Sequence, residues 1–247
     1  MKNVVGDILF IVFEEAQVTR TYGEGCPIAL SLDIVGERWA LLVVRELRLG
    51  PRRYSDLQAA LRGITPAVLS KRLRELEEYG VLHRRELPPP AAAKVYELTE
   101  WGAGLEPVFQ ALARWGVRSP VLPLTGEVSA DSVMLGLRTF FSADDGDGVS
   151  PRPAPWSASY EVTLGSDVYR LRVEHGRLTE LARGPAGTAP DVLVRTTKAA
   201  WQAVLDGAEP LADAVAAGRL SVTGDLRALQ SLVDAPRKIR PRPAPAG

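Results

Sequence analysis

Residues 65–85, TPAVLSKRLRELEEYGVLHRR, limit what this chain can fold into more than any other stretch of it. Thr65 is a good helix N-cap and Pro66 has its backbone angle pre-set for the first helical position, so a helix starts here. Leu69, Leu73 and Leu76 recur at i, i+4 and i+7 and form one inward stripe. Gly80 supplies a C-cap, and VLHRREL then alternates apolar and polar residues as a strand does. The leucines fix which way the helix faces. Thr65, Pro66 and Ala67 at its leading end, then Ser70, Lys71 and Arg74, are thereby aimed outward.

The flanking elements complete a pattern. Upstream, Ile28, Leu32 and Val35 recur at helical spacing up to Gly36, and Trp39, Leu42, Val43 and Leu47 form a second stripe. LGPRR is expected to turn, YSDLQAAL to form a short helix on Leu57 and Leu61, and RGIT to make a tight connection. Downstream, KVYELTE is a second strand across PPPAAA, and WGAGLEPVFQALARWG is a helix interrupted or started by Pro107. Helix, tight turn, helix and hairpin together make a winged helix-turn-helix, whose second helix fits the major groove of duplex DNA. Arg52 and Arg53 at the LGPRR turn, Arg84 and Arg85 entering the hairpin, and Lys94 on its far strand are expected to clamp phosphates. The competing reading makes Lys71, Arg72 and Arg74 a solvated face paired with Glu75, Glu77 and Glu78.

The Cys-Pro start at Cys26, the GERW turn, the RELRLGPRRYSDL run and the ITPAVLSKRLRELEEYGVL segment resemble the HxlR-type family of bacterial winged-helix regulators. The likeness covers about residues 20–118. It implies transcription regulation by a homodimer on an inverted-repeat operator, with the first and last helices of the domain forming the dimer. Family members carry a more polar wing tip than PPPAAA, so wing contacts are the weakest part of the carry-over. The family also makes Cys26 a candidate sensor of oxidants or electrophiles, because a thiol at a helix N-terminus can have a lowered pKa. The alternative is a bystander thiol.

Composition sets the outer bounds. Formal net charge over the 247 residues is zero, so a cationic DNA-binding surface has to be local. Cys26 is the lone cysteine, which excludes an intramolecular disulfide and a cysteine-based zinc site and suits a reducing cytoplasm. His83 and His175 are too scattered to form a metal site. No cofactor and no membrane partner are expected. The apolar core of KNVVGDILFIVFEEAQ is too short to span a bilayer and lacks a signal-peptide cleavage site. An extra helix or strand, a vector-derived leader or an upstream start codon would each account for it.

The pattern changes after the proline-rich residues 117–130. DSVMLGLRTFF is a helix; SASYEVTLG, DVYRLRVEHG, GRLTELARG and DVLVRTT are alternating strands; three short helices follow, with LSVTG between the last two. The expected fold class is α+β. Residues 18–118 form a mainly helical winged helix-turn-helix domain, 119–130 a linker, and 131–235 a smaller α+β domain. Residues 1–17 are an extension and 236–247 a disordered tail. Residues 131–235 hold no nucleophile–base constellation or phosphate loop, which argues against an enzyme. The run WQAVLDGAEPLADAVAAGRLSVTGDLRALQSLV resembles the sterol-carrier-protein-like fold, whose sheet and helices surround an apolar cavity. On that likeness Leu171, Val173, Val192, Val194, Trp201 and Leu205 are candidate lining for an apolar effector, with plain core as the alternative. A second functional reading follows, a lipid or small-molecule carrier whose helical half is an interaction module.

Overall fold

The computed structural model describes residues 21–88, 92–119, 126–141 and 155–236. The expectations for residues 1–17, the centre of PPPAAA, residues 120–125 of the linker and all of the tail after Pro236 lie outside the described residues.

The first half runs α1 (Pro27–Val35), α2 (Ala40–Leu47), α3 (Tyr54–Ala60), α4 (Pro66–Glu78), β1 (Leu82–Glu86), β2 (Lys94–Leu98), α5 (Glu100–Ala103) and α6 (Glu106–Gly116). α4 begins and ends as its sequence dictates. The Thr65 hydroxyl accepts from the Val68 amide at 3.4 Å, and Gly80 takes φ +72°, a left-handed conformation that suits glycine. Leu69, Leu73 and Leu76 are buried against Val43, Val44, Leu47 and Leu57 in one core. β1 and β2 pair antiparallel, from Leu82 opposite Leu98 to Glu86 opposite Lys94.

Three details add to the sequence reading. LGPRR is more than a turn: Arg52 exchanges both backbone hydrogen bonds with Tyr96, at 3.0 and 2.8 Å, and adds a third edge to the hairpin. The last helix is two, α5 and α6, with Pro107 in the first turn of the second. Apolar stripes on α1 and α6 divide between inside and outside. Val35 and Phe109 are buried, whereas Ile28, Leu32, Val108, Leu112 and Trp115 are exposed.

The second half runs α7 (Ala130–Phe140), β3 (Ala158–Leu164), β4 (Asp167–Glu174), β5 (Arg177–Arg183), β6 (Val192–Thr196), α8 (Lys198–Leu205), α9 (Leu211–Ala216), β7 (Leu220–Gly224) and α10 (Leu226–Asp234). Its five strands lie in the order β5-β4-β3-β6-β7, antiparallel except for the parallel pair β3–β6. β3 alternates buried and half-buried residues as a sheet with one covered face requires. α7, α8 and α10 supply the cover. Leu171, Val173, Val192, Val194 and Trp201 are buried in this core and Leu205 packs against it. All six candidate lining residues thus belong to the packed region between sheet and helices. Pro236, assigned to the tail, is buried and bridges Phe141.

The halves meet through polar groups. Leu49, just past α2, joins the second core, and the Arg183 amide donates to its carbonyl at 3.2 Å. Around that contact Glu46, Arg52, Asp131 and Arg183 form a buried ionic cluster. Burying one charge alone is costly, and here each has an opposite neighbour.

Candidate nucleic-acid interface

α4 is held from beneath by its leucines and from the side by α3. The Tyr54 hydroxyl donates to the Pro66 carbonyl at 2.9 Å, and Ser70 donates to the Tyr54 oxygen at 3.3 Å. Gln58 donates to the Ile64 carbonyl at 2.7 Å and fixes the connection just before the helix. Thr65, Pro66, Ala67, Ser70, Lys71 and Arg74 are all exposed on the resulting outer face. Tyr54 was missed in the sequence, because nothing local marks a hydroxyl that works on a residue in the next helix.

The cations differ in how free they are. Arg74, Arg53 and Lys94 make no ion pair among the described residues, and all three are exposed. Lys71 lies 3.7 Å from Glu75, at a spacing worth only a few tenths of a kcal/mol on an exposed helix, so phosphate can compete for it. Arg84 pairs with Glu77 at 3.0 Å and covers the Tyr96 ring, and Arg85 pairs with Glu97 at 2.8 Å. The competing reading of α4 as a solvated charged face thus holds for Lys71 in part. It fails for Arg72, which is buried between Glu37 and Glu75.

Arg52 is the clear correction. Its side chain is 11% exposed, and its guanidinium lies 2.8 Å from Asp131 and 3.7 Å from Glu46. Burial disfavours its charge, but Asp131 and then Glu46 outweigh that and hold its pKa above the ordinary arginine value. It points into the junction with the second half and not toward a phosphate. Arg53, one residue on, faces out as the exposed N-cap of α3.

Cys26 is half-buried at the N-cap of α1. Its sulfur makes no capping hydrogen bond of ordinary geometry, yet the Ala29 amide and then the Ile28 amide lower its pKa below the usual thiol value. His175 stands in a turn at φ +50°, beside Gly176. Among the described residues no cluster of His, Cys, Asp and Glu could hold a metal ion, and no helix is long and apolar enough to cross a membrane.

A helix aimed outward over a buried leucine stripe, with Lys71 and Arg74 exposed along it and a paired hairpin beside it, defines a winged helix-turn-helix domain. The chain belongs to the HxlR-like helix-turn-helix family, which matches residues 34–120. An uncharacterized HTH-type transcriptional regulator of Bacillus subtilis (strain 168), YdeP, is 38% identical over 96 residues, which span 38% of this chain and 73% of that one. The HTH-type transcriptional regulator YodB of the same strain is 33% identical over 91 residues, covering 36% of this chain and 81% of the relative. Among solved structures, the redox regulator HypR in its oxidized form is 32% identical over 37% of this chain and 94% of that one, at a TM-score of 0.35. In the second half it is the alkyl sulfatase C-terminal family that matches, over residues 157–242, in place of the sterol-carrier likeness expected there.

Proposed function

We propose that this protein regulates transcription by binding duplex DNA as a homodimer, with α4 in the major groove of each half-site. The observation that carries the reading is the outer face of α4, where Arg74 is unpaired among the described residues and Lys71 loosely paired over a fully buried leucine stripe. The Tyr54 bond to Pro66 fixes the leading turn, so that Ala67, Ser70, Lys71 and Arg74 are presented at a set depth. Arg53 flanks the helix, and Arg84, Arg85 and Lys94 on the wing exchange their present carboxylate partners, or water, for phosphate. Names of the relatives support regulation, since YdeP and YodB are both called HTH-type transcriptional regulators.

A two-fold dimer follows from the apolar residues left outside. Ile28 on α1 is 71% exposed and Trp115 on α6 is 78% exposed, with Leu112 beside it on the same helix. Exposed apolar side chains grouped on two helices are the mark of a surface that a partner covers.

The test is a gel-shift titration on a duplex selected from a random pool. Arg74→Ala is expected to cost about 1–3 kcal/mol on the selected duplex if Arg74 reads a base edge. Arg53→Ala is expected to weaken selected and scrambled duplexes alike and to flatten the salt dependence by about one phosphate contact. An Arg53, Lys71 and Arg74 triple alanine variant that binds like the parent would end this reading.

A further inference from the structure

A cleft of about 810 Å³ opens between the two halves. One wall is the first half, with Trp39, Leu42 and Arg62; the other carries Glu127 and Lys198. At its mouth Arg62 Nη1 lies 2.5 Å from Glu127 Oε2, and Lys198 Nζ lies 3.9 Å from the same oxygen. The Lys198 ammonium also donates to the Val128 carbonyl at 2.6 Å. A carboxylate of the chain's own is thus seated between two cations from opposite halves. Glu127 side-chain exposure is 63% and that of Arg62 is 71%, so the seat is open to exchange.

The apolar wall is in an unusual state. Trp39 has φ +79°, a left-handed conformation that a bulky residue adopts only when its surroundings impose it. The edge of its ring approaches Gly63: a Cβ built there would lie 3.9 Å from one Trp39 ring atom. Gly63 itself turns at φ +87° two residues before Thr65, the cap of α4. Leu42, 38% exposed, continues the wall. A body resting on Trp39 and Leu42 therefore lies against a side chain that packs on the core containing Ile64, in the connection before α4.

We propose that this cleft binds a small anionic ligand with an aromatic or apolar body, whose carboxylate replaces Glu127 between Arg62 and Lys198 while its body lies on Trp39 and Leu42. Ligand sites favour domain boundaries with apolar walls and few placed polar groups. The regulatory consequence, an altered presentation of α4, rests on the DNA-binding reading; the binding itself does not. Ligand and DNA would be coupled only to the extent that the ligand prefers one arrangement of the Trp39–Gly63 contact.

The experiment is calorimetric titration of the full chain without DNA, using 1-naphthoate and its neutral counterpart 1-naphthalenemethanol. Naphthoate is expected to saturate at one site per chain, with the alcohol about tenfold weaker or more. Arg62→Gln should weaken naphthoate about tenfold, and Glu127→Gln, which removes the internal competitor, should tighten it about threefold. Both positions are exposed, and melting curves of the variants confirm folding. Absence of saturation by about 1 mM, equal binding of acid and alcohol, or a Glu127→Gln variant that binds no tighter would each overturn the proposal. Loss of the DNA-binding reading would leave these measurements untouched, because no DNA enters them.

Discussion

The Arg52 guanidinium lies 2.8 Å from the Asp131 carboxylate, while the Arg52 backbone pairs with Tyr96 of the wing. One residue therefore anchors the hairpin and joins the two halves. Asp131 is wholly buried, and it also accepts from the Tyr169 hydroxyl at 2.7 Å and lies 3.4 Å from Arg183. Burial, then the neighbouring Asp131 charge, pushes the Tyr169 pKa far up, so the phenol stays a donor at any ordinary pH.

Removing Asp131 would leave Arg52 and Arg183 buried without their counter-charge. Asp131→Ala is expected to destabilise the protein by about 3–5 kcal/mol, read as a lowered midpoint in urea. Arg53→Ala, at an exposed position next to Arg52, should stay within about 0.5 kcal/mol of the parent. Equal midpoints for Asp131→Ala and the parent would show that the cluster holds nothing together.

The exposed faces of α1 and α6 make a prediction about assembly. The parent should scatter light as a dimer at micromolar concentration, and a Leu112→Glu, Trp115→Glu double variant as a monomer. Charge placed in a covered apolar face cannot be solvated there, whereas on a free surface it would be tolerated. A parent that is already monomeric, or a variant that stays dimeric, would remove the basis for a two-fold DNA complex.

Glu106 gives the expected acid response. It accepts from Arg48 at 2.9 and 2.5 Å and lies 3.7 Å from Arg138 on α7. Burial works against its charge, but the Arg48 hydrogen bonds and charge win, and its pKa falls below the ordinary 4.5. In the unfolded chain the carboxyl takes up a proton at higher pH than in the folded one. Its contribution is thus fully present above pH 4.5 and is lost as pH falls through the lower folded value. Melting curves of the parent and Glu106→Gln should be separate above pH 4.5, with the variant the less stable, and converge as pH falls below it. Parallel curves throughout would mean that the ion pair contributes nothing.

Much of α4 was legible because its signals are local. A cap at Thr65, a proline next to it, a leucine every third or fourth position and a glycine at the end act within one or two turns, so the sequence settles the element and its facing without the rest of the chain. The same holds for the alternating strands of the second half. The outward face of α4 could be inferred for that reason.

Arg52 and Arg53 show what local signals leave out. They are adjacent, chemically identical and equally plausible phosphate clamps in the sequence, yet one is buried against Asp131 and the other faces water. The choice was made by a carboxylate on α7, in the other half of the chain, and by the strand pairing with Tyr96 that turns Arg52 inward. Trp201 and Val194 are apolar in any setting; only the seating of α8 and α10 on the sheet buried them together. Periodicity belongs to one element and is written in its residues. Which charge is buried, and whether space remains between a sheet and its helices, depend on distances between elements far apart in the chain, and those exist only once the chain has packed.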